Sequence, residues 1–266
     1  MLNFDPEKIA VLNPDMFHQK VEGFPKTCVS FFSSKLMQLF VDTYKPQVVG
    51  TVQNTTLETP IYRTYVDGLD VCVVQAMVGA PACVANFEEV IAWGVENIVL
   101  IGCCGCLESE LEDYQIIIPT AAIRDEGTSY HYAMASDEVE IDPGCVNAVE
   151  EIIKSIGLKY SKGKTWTTDA LFRETKEKVE KRKAQGAITV DMECSAMAVM
   201  CQFRGVNFAQ IFYAADNLGD DEYDIRSFNK QGAVKEAKMI PIGIKCAASL
   251  LQYSESKKLD EGSSEN

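Results

Sequence analysis

The chain has 266 residues, 47% of them hydrophobic, which is enough to bury the core of one large α/β domain without requiring a second. Its formal net charge of −14 disfavours binding to nucleic acid or to an anionic membrane surface, because both require clustered cations. No run of apolar residues reaches the roughly 18–20 that a transmembrane helix needs, so we expect a small-molecule ligand.

Apolar, β-rich runs alternate with helical patterns along the chain. In chain order, the sequence predicts a strand at Val71–Val78, a helix at Ala82–Trp93, strands at Ile98–Ile101 and Ile116–Ile118, a helix at Val146–Ile156, a strand near Lys164–Thr167, a helix at Cys194–Arg204, a strand at Asn207–Ala214 and a long helix from about Gly232 to Tyr253. This alternation predicts an α/β fold, in which residues 1–253 form a single domain with a mixed central β-sheet flanked by helices. The polar segment Ser254–Asn266 is expected to be a disordered tail, since it has little apolar surface to bury.

Ten cysteines would suggest disulfides in a short secreted chain, but this chain is long and begins with the charged, proline-bearing segment Met1–Pro6. A cytoplasmic protein with reduced thiols is the expectation. The segment Cys103–Cys106 holds three cysteines, yet no second cysteine pair stands at ligand spacing, and the histidines are His18 and His131. No metal site is therefore expected.

Two carboxylates are candidate ligand-binding groups. Glu193 begins the apolar helix, where its carboxylate can accept hydrogen bonds from paired hydroxyls such as O2 and O3 of a ribose. Asp216 follows the strand Asn207–Ala214, and ligands of open α/β sheets gather at such carboxyl ends. From the residues alone, alternatives remain open: Glu193 can be a solvated first-turn residue that complements the helix dipole, and Asp216 a cap or Asx turn.

Five segments, in order and spacing, resemble motifs of the nucleoside phosphorylase-I family, which includes purine nucleoside phosphorylases, uridine phosphorylases and related nucleosidases. The segments are Met77–Cys83, Ile101–Leu107, Ile123–Tyr132, Thr167–Thr175 and Asp191–Ala196. The resemblance covers roughly residues 48–251 and implies the α/β/α fold of that family.

The resemblance also implies roles for individual residues. Glu193 would bind the ribose hydroxyls, Met192 would lie against the sugar, and Asp216 would be the general acid at N7 of a purine. The base would be held by Phe172, Leu171 and Thr168, although an aromatic residue in this segment can equally be core packing.

Inorganic phosphate is the implied co-substrate, with no other cofactor, and the implied assembly is a homo-oligomer, either a dimer or a hexamer built as a trimer of dimers. The three arginines that hexameric members use for phosphate are absent where they are expected. The candidate replacements are Gly79, Cys103, Cys104, Gly105, Arg63, Arg124, His18 and Lys20. Arg63 and Arg124 can equally be ordinary ion-pair residues.

The resulting expectation is a nucleoside phosphorylase that prefers purines, because Asp216 is present. The glutamine and arginine with which uridine phosphorylases read the pyrimidine are replaced by the stretch Glu174–Glu177. A divergent uridine phosphorylase and a nucleosidase of the same fold remain alternatives. A remote alternative is a non-catalytic ligand-binding or storage protein, since fold does not fix function.

Overall fold

The central element of the fold is a ten-stranded mixed β-sheet. The computed structural model describes residues 4–17, 20–220, 222–226, 228 and 233–264. The strands are β1 (Thr27–Phe31), β2 (Gln47–Gln53), β3 (Glu58–Val66), β4 (Leu69–Gln75), β5 (Asn97–Cys106), β6 (Ile116–Asp125), β7 (Glu138–Glu140), β8 (Tyr160–Thr168), β9 (Ala187–Asp191) and β10 (Asn207–Asn217). The flanking helices are α1 (Ser34–Tyr44), α2 (Ala80–Trp93), α3 (Pro143–Ser155), α4 (Lys176–Ala184), α5 (Cys194–Arg204), α6 (Ala233–Ala237) and α7 (Met239–Ser264). The predicted fold class, a single domain with helices around a mixed sheet, is confirmed.

The strand order is β10-β6-β8-β9-β5-β1-β4-β3-β2, with β7 added to β6. Strand β5 also pairs with β10, so β10, β6, β8, β9 and β5 close into a ring. Strands β1, β5 and β10 run parallel to one another in register, which brings their carboxyl ends to the same edge. Functional groups that follow these strands are therefore neighbours in space.

The central strands are almost entirely buried because helices cover both faces of the sheet. All five residues of β1 and nearly all of β10 are buried, which matches the continuous apolar runs expected of parallel strands. Helix α7 packs against α3, β1 and β5. Helix α5 ends at Gly205, whose φ of 72° is the left-handed conformation that favours glycine after a helix.

The structure extends several predicted elements. Strand β5 continues through Cys106, so the segment Gly102–Gly105 lies within a strand that the sequence predicted to end at Ile101. Strand β10 likewise continues through Asn217 and therefore includes Asp216. Pairing with β10 along this length supplies backbone partners that the sequence does not reveal.

The prediction of a disordered tail is wrong for residues 254–264, because α7 continues to Ser264. Ser254 is buried, Tyr253 donates a hydrogen bond to Asp142, and Lys257 and Lys258 pair with Asp142 and Glu96. These tertiary contacts order a segment that is polar by composition. The predicted start of the long helix, Gly232, lies outside the described residues.

No helix in the described part of the chain is both long enough and apolar enough to cross a membrane.

The close approach of α7 to α3 generates a testable prediction at Gly144. A methyl group there would overlap the Tyr253 hydroxyl oxygen, so Gly144→Ala should lower the free energy of unfolding by about 1–3 kcal/mol. Urea denaturation measures the change. In a Tyr253→Ala background the penalty should disappear, whereas an equal penalty in both backgrounds would show that this contact is not its cause.

Candidate functional site

A cavity of about 270 Å³ opens at the edge of the sheet where β5, β9 and β10 end. Its apolar lining includes Phe32, Val78, Leu171, Val190, Met192 and Leu218. Its polar lining consists of four carboxyl groups and two thiols, those of Glu174, Asp191, Glu193, Asp216, Cys103 and Cys104. An enclosed apolar space with a few converging polar groups is typical of a small-molecule site.

A second cavity, of about 260 Å³, lies beside α5 and the start of β10. It contains the Asp142–Lys257 ion pair and none of the predicted site residues. We therefore assign the candidate site to the first cavity.

The carboxylate of Asp191 fixes the turn between β9 and α5. Its Oδ1 accepts hydrogen bonds from the hydroxyls of Thr165 and Thr167 at 3.0 and 2.8 Å. Its Oδ2 accepts from the backbone N–H groups of Glu193 and Cys194 at 2.7 and 2.6 Å. These two N–H groups have no partner within the helix, so Asp191 satisfies donors that a helix start otherwise leaves exposed.

Glu193 is buried and faces the cavity. The N–H of Gly79, at the start of α2, donates to its Oε1 at 2.5 Å. Burial, together with the nearby charge of Asp191, raises the pKa of Glu193 to about 8. Gly79 donates to one oxygen of this carboxyl group, which lines the cavity and can hydrogen-bond a ligand hydroxyl.

Asp216 approaches the cavity from the end of β10. Its Oδ2 accepts a hydrogen bond from the Tyr223 hydroxyl at 3.0 Å. Its Oδ1 lies beside Gly105, since a Cβ atom added to that glycine would be 3.4 Å from Oδ1. Burial raises the pKa of Asp216, and the Tyr223 hydrogen bond and the Arg226 charge only partly oppose this shift. The carboxyl group is thus biased towards its protonated form, as a proton donor requires.

Glu174 was not predicted as a site residue, yet its carboxyl group lines the same cavity. Burial and the charge of Asp216 raise the pKa of Glu174 to about 7, and Lys178 on α4 acts in the opposite direction. The sequence offered one indication, since Glu174 stands two residues after Phe172, in the segment of the predicted base-side residues.

Several predicted site residues do line this cavity, namely Asp216, Glu193, Met192, Leu171, Cys103 and Cys104. Gly79 contacts it through its hydrogen bond to Glu193. Phe172 and Thr168 are not among the lining residues: the Phe172 side chain is 95% exposed, and Thr168 is buried at the end of β8.

The structure does not bring Arg63 or Arg124 to the cavity. Arg63, on β3, forms a two-pronged ion pair with Asp70 at 2.7 and 2.9 Å. The buried Arg124 donates to the Ser129 and Ser136 hydroxyls. Arg63 thus forms an ion pair, as the alternative interpretation has it, whereas Arg124 donates to hydroxyl and backbone oxygens and forms no ion pair among the described residues.

Among the described residues that line the cavity there is no lysine, arginine or histidine. His18 lies outside the described residues, and Lys20 is exposed and does not line the cavity. The Gly79 N–H, predicted as an anion donor, is already bonded to Glu193. The cavity of the described chain is therefore rich in carboxyl groups and lacks a fixed positive charge.

All ten cysteines are free thiols. Cys103 is accessible within the cavity, but its position deep in the sheet raises the pKa of its thiol to about 12, so the thiol is neutral near pH 7. In the described part of the chain, no group of three or more histidine, cysteine, aspartate or glutamate side chains is arranged to hold a metal ion.

The sequence of the chain is similar to a known protein family and to several individual proteins. The family model described as the Phosphorylase superfamily matches residues 28–245. The uridine phosphorylase of Escherichia coli is 24% identical over 208 residues, covering 73% of this chain and 81% of that protein.

A purine nucleoside phosphorylase and a guanosine phosphorylase are similar to the chain at comparable sequence identity. The purine nucleoside phosphorylase DeoD-type of Bacillus cereus is 25% identical over 232 residues, covering 85% of this chain and 86% of that protein. The guanosine phosphorylase of Halorubrum lacusprofundi is 23% identical over 161 residues, covering 60% and 67%.

The raised pKa of Glu193 predicts a pH-dependent effect on stability. Between about pH 4.5 and pH 8 the folded chain holds a proton on Glu193 that the unfolded chain releases, so the free energy of unfolding falls as pH rises. Glu193→Gln keeps an oxygen that accepts the hydrogen bond from the Gly79 N–H. It removes the ionisable group and therefore the loss of stability as pH rises.

We expect Glu193→Gln to stabilise the protein more at about pH 8 than at about pH 5, by more than about 1 kcal/mol. Urea denaturation at both pH values measures this difference. Glu177→Gln, at an exposed position on α4, is the matched control and should show no such pH dependence. The same difference from wild type at both pH values would contradict the prediction.

Proposed function

The chain belongs to the phosphorylase superfamily, and we propose that it is a nucleoside phosphorylase that cleaves the N-glycosidic bond of a purine ribonucleoside with inorganic phosphate. The observation that carries this proposal is the convergence of Glu193, Met192 and Asp216 on one cavity. A hydroxyl acceptor, an apolar floor and a proton donor are the groups that ribosyl transfer from a purine requires. Family membership makes the protein an enzyme of the pentosyltransferase class.

In the proposed reaction, the carboxyl group of Glu193 forms hydrogen bonds with the ribose O2 and O3 hydroxyls and fixes the sugar. The C1′–N9 bond then breaks with its electron pair moving to the base, and positive charge develops on the ribosyl ring. Asp216 donates its proton to N7, so that the base leaves as a neutral molecule. Positioning of the reactants and general acid catalysis each lower the barrier.

A phosphate oxygen forms the new bond to C1′, which gives ribose 1-phosphate. Hydrogen phosphate brings one proton to this reaction, and that proton restores Asp216 through solvent. Overall, the reaction converts a nucleoside and hydrogen phosphate into ribose 1-phosphate and the neutral free base.

Hydrolysis is the second candidate, because the described cavity lining lacks a cation to pair with phosphate. Burial of a phosphate dianion without positive charge or several hydrogen-bond donors is costly. In this alternative, water attacks C1′ and free ribose is the product.

We also propose that the protein is a homo-oligomer, a dimer or a hexamer, in which a neighbouring subunit supplies groups that the phosphate site needs. The ten free thiols favour a reducing compartment such as the cytoplasm.

The proposed role of Asp216 predicts a leaving-group effect. Asp216→Asn should lower kcat/KM for purine nucleosides by about 10²- to 10⁴-fold, since the proton donor is lost. Cleavage of nitrophenyl riboside, whose leaving group needs no protonation, should change far less. Glu222→Gln, at an exposed carboxylate of the same loop, is the control. Equal losses on both substrates would remove Asp216 from the acid role.

Phosphate dependence separates the two candidate reactions. We expect the wild-type protein to release base from a purine nucleoside only when phosphate is present, with ribose 1-phosphate as the product. The measurement uses inosine, guanosine, adenosine and uridine, each with and without phosphate. Equal release without phosphate would make the protein a nucleosidase, and selective release of uracil would contradict the purine assignment.

A further inference from the structure

The carboxyl group of Asp216 is held on one side by Tyr223. The Tyr223 hydroxyl donates to Oδ2 of Asp216 at 3.0 Å, although Tyr223 itself is 57% exposed to solvent. The nearby guanidinium of Arg226 donates instead to the carbonyl oxygen of Leu111 at 2.7 Å and to the sulfur of Cys106 at 3.7 Å. A tyrosine at the protein surface therefore reaches one oxygen of a buried carboxyl group.

The backbone fixes Tyr223 beside Asp216. The residues that follow them in the chain, Asn217 and Asp224, exchange two backbone hydrogen bonds of 2.8 and 3.0 Å. Asn217 is the last residue of β10 and is completely buried. This bridge ties the segment that carries Tyr223 to the end of the strand that carries Asp216, so the fold itself brings the hydroxyl to the carboxyl group.

The hydrogen bond makes the two oxygens of Asp216 different from each other. Oδ2 accepts from Tyr223, whereas Oδ1 lies beside Gly105, which belongs to the cavity lining. A protonated carboxyl group has one O–H donor and keeps the capacity to accept on its other oxygen. As long as Oδ2 accepts from Tyr223, the proton of Asp216 belongs on Oδ1, the oxygen beside the cavity lining.

The Tyr223 hydroxyl is a donor throughout the neutral pH range. Burial is the main cause that raises the pKa of Tyr223 to about 12, and the charge of Asp216 adds to this effect. The hydrogen bond in turn lowers the pKa of Asp216 and opposes the effect of burial, because a donor stabilises an ionised carboxylate more than a neutral acid. Removal of the hydroxyl should therefore raise the pKa of Asp216 further.

Other ionisable groups also face Asp216. Arg226, on the same segment as Tyr223, lowers the pKa of Asp216 through its charge. The carboxyl group of Glu174, just before α4, and three thiols on β5 are close enough for the charge of Asp216 to raise their pKa values; these thiols are those of Cys103, Cys104 and Cys106. A substitution at Tyr223 that keeps the aromatic ring leaves all of these groups in the chain.

We propose that Tyr223 is a positioning residue for the proton donor: its hydroxyl holds Oδ2 of Asp216, so that Oδ1 carries the proton and delivers it into the cavity. In this step the O–H bond of Oδ1 breaks and an N7–H bond forms on the base, while Tyr223 keeps its own proton. This inference rests on the proposed function for the role of Asp216 as general acid. It goes beyond that function by naming the residue that determines which oxygen transfers the proton.

Tyr223→Phe tests the proposal, because it removes the hydroxyl and keeps the ring. The measurement is kcat/KM as a function of pH, with the best purine substrate among inosine, guanosine and adenosine and with nitrophenyl riboside. For the purine nucleoside we expect a loss of about 10-fold at acidic pH, which is the effect of one hydrogen bond to a charged group. The alkaline limb of the profile should move to higher pH, so the loss should shrink as pH rises. Cleavage of nitrophenyl riboside, whose leaving group needs no protonation, should hardly change.

A second measurement requires no turnover. NMR of protein labelled in the aspartate carboxyl carbons follows the titration of Asp216, whose signal is identified by its loss in Asp216→Asn. Tyr223→Phe should move this titration to higher pH. Tyr65→Phe removes the hydroxyl of an exposed tyrosine on β3 and is the matched control, which should leave the titration and both rates unchanged. Urea denaturation checks that each variant is folded.

The outcomes separate this inference from the proposed function. If the wild-type protein cleaves a purine nucleoside but Tyr223→Phe leaves the Asp216 titration unchanged, the inference is overturned and the function stands. Equal losses on both substrates at every pH would overturn it as well, because they would indicate a merely structural role. If the wild-type protein cleaves no purine nucleoside, the proposed function fails, and a titration that still moves to higher pH in Tyr223→Phe supports the control of the Asp216 proton by Tyr223.

Discussion

The arrangement of the site depends on one buried carboxylate, that of Asp191. Four donors converge on it, two threonine hydroxyls from β8 and two backbone N–H groups from the start of α5. The interaction ties the sheet to the helix and fixes the direction of Met192 and Glu193 between them. Thr167 extends this link, since its hydroxyl oxygen also accepts from the N–H of Ser195, and Ser195 in turn donates to Glu126.

The same interaction has an electrostatic consequence. Asp191 brings a negative charge close to Glu193, which is itself buried, and the two effects together raise the pKa of Glu193. Burial and the charge of Asp216 likewise raise the pKa of Glu174, and burial raises the pKa of Asp216. Carboxyl groups held in this way are poor contributors to stability, but they are effective hydrogen-bond acceptors or proton donors near neutral pH.

The absence of a cation among the described lining residues is the main physical constraint on how the cavity handles phosphate. Arg63 and Arg124 have partners inside the chain, so the lining residues that the structure describes carry only negative and neutral groups. Such a cavity suits a neutral nucleoside. An anion entering it requires donors from elsewhere, and a neighbouring subunit is the source that agrees with the proposed homo-oligomer.

The sequence by itself determined the fold class, the bounds of α5, and the candidate status of Glu193 and Asp216. Each of these follows from local patterns, such as the apolar run of α5 and the glycine that ends it. Only the tertiary structure decided that Glu174 faces the cavity while Phe172 points to solvent, because both belong to one short turn whose orientation is set by packing. It likewise decided that α7 continues past Tyr253, since contacts of Tyr253 and Lys257 with Asp142, more than a hundred residues away, order a segment that is polar by composition.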